Sequence, residues 1–270
     1  MIPGERHIEW SDVREVALRR GRNSRCPDLW RGLAALWLPG WDGLNSHDIL
    51  GRDHMTAVNS PTRAVGPLGP CILFDDAQTQ YLFTPSTFGA SFPITVAVWA
   101  LADSAAVGSL VAFGDADGTG RLLLYRSGTT LYCYTGTTQG SVSGFVQGGW
   151  NHCVGVWGGT SYRRASCNGV HGTPSTSWSG VGPTLDVMAL GALRNDDTVA
   201  YPWSGQLAYP AAWRRHLSDD MIEEHADGGW WRMLTPRPAM ESMYVPSGEE
   251  PAATPWLYAP RSSRVIGACA

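Results

Sequence analysis

Trp150-Asn-His-Cys-Val-Gly-Val-Trp-Gly-Gly-Thr-Ser-Tyr-Arg-Arg-Ala-Ser-Cys-Asn-Gly169 is the stretch whose pattern decides the fold. Side chains of an extended strand alternate between two faces, so Trp150, His152, Val154 and Val156 share one of them. Gly158 and Gly159 punctuate the run, the chain returns from Tyr162 to Cys167, and Asn168-Gly169 tolerates the positive φ that a tight hairpin requires. The stretch therefore predicts a β-meander. Cys153 and Cys167 can lie opposite each other across this hairpin, with buried reduced thiols as the favoured state.

Further strand-like segments flank it. Asp28 to Leu38 carries the apolar run Leu33-Ala-Ala-Leu-Trp-Leu38 before Pro39-Gly40 breaks it, and Asp42 to Asn59 is polar enough for a surface loop. Within that loop His47, Asp48, Asp53 and His54 could approach a metal, but turn chemistry explains them better. Ser109 to Gly114 and Arg121 to Tyr125 predict a hairpin around Asp115-Ala-Asp117-Gly118, and Thr130 to Thr135 and Gly144 to Val146 continue the alternation. Leu217 to Glu224 predicts a short helix with Ser218 as cap, Met221, Ile222 and His225 on one face, and Gly228-Gly229 at its end.

The order of these segments resembles laminin-G-like jelly rolls of the concanavalin A-like lectin and glucanase superfamily. The resemblance rests on the Trp150 to Gly169 hairpin, on Cys71-Ile-Leu-Phe-Asp-Asp followed by Gln80-Tyr81-Leu82, and on Ile94-Thr-Val-Ala-Val-Trp-Ala100. Leu190-Gly191-Ala192, Trp203 to Ala208, Ala211 to Trp213 and the helix start at Leu217 complete it. It covers roughly residues 28 to 231 and implies an all-β fold, a two-sheet antiparallel jelly-roll sandwich with short helices and extended terminal arms. The expected organisation is an amino-terminal arm over 1–27, the jelly roll over 28–231 and a proline-rich arm over 232–270.

Composition limits the chemistry. All 20 basic residues are Arg, so lysine Schiff-base chemistry and a phosphate-loop lysine are absent. A net charge of −4 argues for no nucleic-acid partner, and the run Leu33 to Leu38 is too short to span a membrane. The amino terminus lacks the pattern of a secretory signal, which predicts synthesis in the cytoplasm without export, or else a cell-surface or extracellular protein whose signal has been removed. The six cysteines have no paired close spacing, so neither a zinc site nor a dense disulfide scaffold is expected.

The arms carry apolar and basic residues without a strand period. Asp12 to Arg20 predicts one short helix, and Arg19 and Arg20 lie in a locally basic run that either docks on an acidic neighbour or is simply solvated. Trp230, Trp231, Tyr244, Trp256 and Tyr258 interrupt the proline-rich tail as anchors for another surface. Jelly rolls that lack export signals and carry such arms resemble surface or decoration components of virus particles, commonly phages. The expectation is thus a structural protein of a virion without enzymatic activity, forming a homo-oligomer or binding other virion proteins through its arms. The alternative is a carbohydrate-binding module.

Glycoside hydrolysis needs two carboxylates flanking the scissile bond, yet no Glu occurs between Glu15 and Glu223. For glycan binding, aromatic faces stack on sugar rings while loop amides and carboxylates fix the hydroxyls, so Trp41, Trp178, Tyr201 and Trp203 are exposed-looking candidates, with Asn195, Asp196 and Asp197 as the polar loop. Filling the core is the competing use of any one tryptophan. No cofactor is expected; the candidate metal ligands are Asp115 and Asp117, whose Asp-x-Asp-Gly spacing suits calcium but lacks the later Glu.

Overall fold

The computed structural model describes residues 26–42, 45–85, 92–115, 120–136, 138–159, 161–177, 185–195, 198–229 and 232–234. Of the expected arms over 1–27 and 232–270, residues 1–25 and 235–270, with Arg19, Arg20, Tyr244, Trp256 and Tyr258, lie outside the described residues, as do Trp230 and Trp231.

A single turn α1 (Pro27–Trp30) precedes β1 (Leu33–Asp42), β2 (Asn45–Asp48), β3 (Thr56–Val58), β4 (Thr62–Gly66), β5 (Gly69–Phe74) and β6 (Tyr81–Pro85). Then come β7 (Ile94–Ala102), β8 (Gly108–Gly114), β9 (Arg121–Ser127), β10 (Thr130–Thr135) and β11 (Thr138–Ser143). The central meander is β12 (Trp150–Gly159), β13 (Tyr162–Cys167) and β14 (Val170–His171). The chain continues through β15 (Val187–Leu190), β16 (Leu193–Asn195), β17 (Thr198–Ala200), β18 (Gly205–Trp213) and α2 (Asp219–Glu224).

Two antiparallel sheets result, which is the expected jelly-roll sandwich. Among the described residues one sheet runs β14-β13-β12-β7-β18-β1-β2, with β5 added to β18 and β4 to β5; the other runs β11-β10-β9-β8-β15-β6-β3. The core between them is apolar because every strand sends alternate side chains inward: Trp37, Phe74, Val96, Val98, Phe113 and Trp157 are among those fully buried. No described helix is long and apolar enough to cross a membrane.

The nine-stranded sheet is covered on its other face as well. Leu29 and Trp30 of α1, Ile222 of α2, and Met233 and Leu234 pack on Val154, Val156 and Trp213. Trp30 Nε1 donates to Met233 O at 2.7 Å and Trp213 Nε1 donates to Leu29 O at 2.6 Å, which ties both ends of the described chain to this face. Burial on both faces explains why β7 and β18 read as near-continuous apolar runs rather than alternating ones. Ser218 stands at the α2 N-cap position but makes no side-chain capping bond; Asp219 of the first turn pairs with Arg164 instead.

Three local readings change. β1 continues to Asp42 through Pro39-Gly40, because the register of its pairing with β2 shifts between Leu38 and Asp42 and Pro39 has no N–H to place in a ladder. The segment after it carries β2 and β3 rather than loop alone. The strand after β10 is Thr138–Ser143, not Gly144–Val146. Its glycine has a packing reason: a Cβ on Gly140 would sit 2.6 Å from Arg163 O, where the edges of the two sheets meet.

His152 and His225 are buried under the helical cover, with His152 Nε2 2.8 Å from His225 Nδ1. Burial holds both imidazoles neutral, His225 down to about 3 and His152 well below its usual value, the neighbouring ring adding to the effect on His152. The unfolded chain takes up these protons near pH 6.5, whereas the folded chain resists them. Stability is therefore fully present above pH 6.5 and is lost as pH falls from 6.5 toward 3. Partly buried His216, lowered by burial and by Arg164, adds in the same direction. Urea unfolding at pH 7.5, 6, 5 and 4 should show a declining midpoint, and a constant midpoint would contradict this account of the pair.

Candidate functional site

The outward face of the seven-stranded sheet is built differently. On β9 and β10 the inward residues Leu122, Leu124, Leu131 and Cys133 enter the core, so Arg121, Leu123, Tyr125, Tyr132 and Tyr134 point outward by strand alternation. Register brings them together: Tyr132 pairs with Tyr125 and with Ser141, and Tyr134 pairs with Leu123 and with Gln139.

The rings form a continuous patch. Tyr125 and Tyr132 stack with centroids 4.9 Å apart, Tyr134 meets Tyr125 edge-on at 6.3 Å, and Tyr201 lies parallel to Tyr125 at 6.4 Å. Tyr201, 44 % exposed, is held there because its carbonyl accepts from Ser109 N on β8 at 2.9 Å. Tyr125 Oη donates to Gln139 Oε1 at 2.7 Å. Burial, and then its tyrosine neighbours, push the Tyr125 phenol up to about 12, so it stays a neutral donor across the physiological range. The Arg121 guanidinium lies 5.5 Å from the Tyr134 ring centre.

A wall borders the patch. The β16–β17 hairpin lies on the sheet with Leu193 buried against Ala112 and Leu123, and Ala200, Tyr125 and Tyr134 pack on that small cluster. Arg194, next to Leu193 on β16, stacks on Phe83 at 4.1 Å. The outward residues matched across β9, β10 and β11 include no Asp or Glu. Such a surface offers ring faces to the C–H groups of a sugar and phenol, amide and guanidinium groups to its hydroxyls.

The candidates named from sequence fall out unevenly. Trp203 is 1 % exposed and lies in the core, edge-on to Phe145 and under the Arg126 guanidinium, so it is not a surface platform. Its neighbours leave no room to turn outward: a Cβ on Gly108 would approach its ring to 2.7 Å. Asn195 ends β16 opposite Thr198, on the hairpin that borders the tyrosines. Asp196, Asp197, Trp178 and Asp117, and the side chains of Asn195 and Trp41, lie outside the described residues. Asp115 is buried directly after β8, and no group of three or more His, Cys, Asp or Glu side chains is gathered as a metal site among the described residues.

Asp48 is also buried, as the hub of its loop. Its Oδ1 accepts from Leu36 N and Leu50 N at 3.0 and 3.1 Å, and its Oδ2 from Arg52 N and Asp53 N at 3.1 and 3.3 Å. A depression of about 190 Å³ lined by Gly32, Leu33, Ala34, Arg52, Asp53 and Arg214 borders this loop rather than the tyrosines and is small for a saccharide. Tyr125, Tyr132, Tyr134, Gln139 and Arg121 were not singled out from sequence, although Thr-Leu-Tyr-Cys-Tyr-Thr over 130–135 alternates cleanly.

A family model described as the concanavalin A-like lectin/glucanases superfamily matches residues 75–223. Among solved structures, Trypanosoma rangeli sialidase in complex with the inhibitor DANA is similar with a TM-score of 0.62 and 12% identity, over 80% of this chain and 37% of that one. Domain 4 of AbnA, a GH43 extracellular arabinanase from Geobacillus stearothermophilus, in complex with arabinotriose, is similar with a TM-score of 0.53 and 17% identity, over 72% of this chain and 98% of that one. The binding domain of Paraclostridial Mosquitocidal Protein 1 is similar with a TM-score of 0.57 and 9% identity, over 74% of this chain and 52% of that one. The chain spans about a third of the length of the sialidases it resembles. No curated protein matches the sequence.

These likenesses overturn the expectation of a chain without enzymatic activity. The structures it resembles include sialidases and a domain of an arabinanase, so the fold occurs within glycosidases. At such identities the likeness carries the fold, and neither activity nor its absence follows from a fold.

Proposed function

The chain belongs to the concanavalin A-like lectin/glucanases superfamily, and from that premise we propose that it recognises carbohydrate through the tyrosine face of its seven-stranded sheet. The observation that carries this reading is the partly exposed stack of Tyr125, Tyr132, Tyr134 and Tyr201 on one outward surface. Tyrosine presents a flat ring at low entropic cost together with a polar tip, which suits a ligand with apolar C–H faces and hydroxyl edges. The solved domain similar to this chain over nearly its whole length was captured with arabinotriose, and supports the same reading.

A glycan array tests it. Saturable binding to at least one glycan is expected, and Tyr132→Ala should weaken it by about 10–100-fold, the loss of a buried aromatic contact. Binding unaffected by Tyr132→Ala and Tyr125→Ala would contradict the assignment of the face. A building block of a virus particle, such as a phage decoration protein, is the other reading of this fold; it rests on the arms over 1–27 and 232–270, most of which lie outside the described residues, and nothing in the sandwich favours it.

A further inference from the structure

We infer that the saccharide held on the tyrosine face is anionic, carrying carboxylate or sulfate groups, and that Arg121 reads that charge; this rests on the carbohydrate reading above. Two donors converge around the Tyr134 ring. Arg121 is its diagonal cross-strand neighbour on β9, with the guanidinium 5.5 Å from the ring centre, and Gln139 is its direct partner on β11. Gln139 accepts from Tyr125 Oη through its carbonyl oxygen, which leaves its amide N–H groups as donors.

Most other described arginines are employed by the fold itself. Arg126 donates to the carbonyls of Gly128 and Ser104, Arg163 to that of Ser177, and Arg164 pairs with Asp219. Arg121 meets no carboxylate among the described residues and rests on an aromatic ring. The outward residues around it on β9, β10 and β11 carry no acid, and Tyr125 stays neutral. These outward faces thus carry a guanidinium and no carboxylate, in a chain of net charge −4. A stacked guanidinium keeps its planar fork of N–H groups free at the edge, and that fork matches a carboxylate or sulfate in two-point contact.

Arg194 provides an internal control. It also stacks on a ring, Phe83, but across the β16–β17 hairpin from the tyrosines. Polygalacturonate, hyaluronate and dextran sulfate would be compared by affinity electrophoresis and calorimetry with carboxyl-reduced polygalacturonate, carboxyl-reduced hyaluronate and plain dextran. At least one anionic polymer should bind about tenfold more tightly than its neutral counterpart. Arg121→Gln should remove that advantage, Arg194→Gln should leave it, and Tyr132→Ala should weaken binding of both forms by about 10–100-fold. The carboxylate and sulfate pairs identify which anion is read. Equal binding of charged and neutral forms, or an advantage that survives Arg121→Gln, overturns the inference and leaves the carbohydrate reading standing. Binding to neither form, here and on the array, overturns both.

Discussion

Trp203→Ala is expected to lower the unfolding free energy by about 3–5 kcal/mol while leaving the glycan affinity of the folded protein unchanged. Trp203 is fully buried, edge-on to Phe145 at 6.2 Å, with Arg126 stacked over both rings. Its backbone N donates to Gly191 O at 2.7 Å, which fixes the segment leading into β18. Removing the indole leaves a cavity that the close-packed sheets cannot collapse into, and takes from the buried Arg126 one of the two rings it rests on. Denaturant unfolding gives the stability loss, and calorimetry at low temperature gives the affinity. Wild-type stability together with lost binding would return Trp203 to the site.

Asp48→Ala should be comparably severe, about 3–5 kcal/mol, because several hydrogen bonds to one charged acceptor are lost together. Four backbone N–H groups, from Leu36, Leu50, Arg52 and Asp53, converge on its carboxylate, and alanine leaves them without that acceptor. Asp48→Asn keeps one carbonyl oxygen and should lose less, about 1–3 kcal/mol. If both substitutions shift the urea midpoint equally, or neither shifts it, the loop is held by something other than this network. The same geometry explains why Asp48 is unsuited to a metal: its oxygens are already committed to the backbone.

The fold was legible where sequence period matches burial. Trp150 to Gly169 alternates, ends in Asn168-Gly169 with both residues at positive φ, and forms β12 and β13 with Cys153 opposite Cys167 as free thiols. The face shared by His152, Val154 and Val156 is not the one between the sheets, however, but the one under α1, α2 and Met233. Alternation identifies a shared face and is silent about what covers it. Thr138–Ser143 was missed because its Gly and Ser have low strand propensity, and close approach to Arg163 is what calls for glycine there.

The site was harder to read for a related reason. Leu122, Leu123 and Leu124 mask the alternation that turns Tyr125 outward, since Leu123 is covered by the β16–β17 hairpin while its neighbours enter the core. Tyr125 and Tyr132 belong to one surface only through the register of β9 and β10, which no local window contains. Trp203, between Pro202 and Ser204-Gly205, sits among turn-forming residues and so reads as exposed, although the packing of Gly108 beneath it places it inside. Tyr201, two residues earlier, does reach the surface.

Localising the bound sugar by NMR is the most direct test of the tyrosine face. On titration with the tightest array ligand, the largest shift changes are expected in the ring and amide signals of Tyr125, Tyr132, Tyr134 and Tyr201. Changes concentrated around Gly32, Arg52 and Arg214, with the tyrosine signals unmoved, would contradict the account.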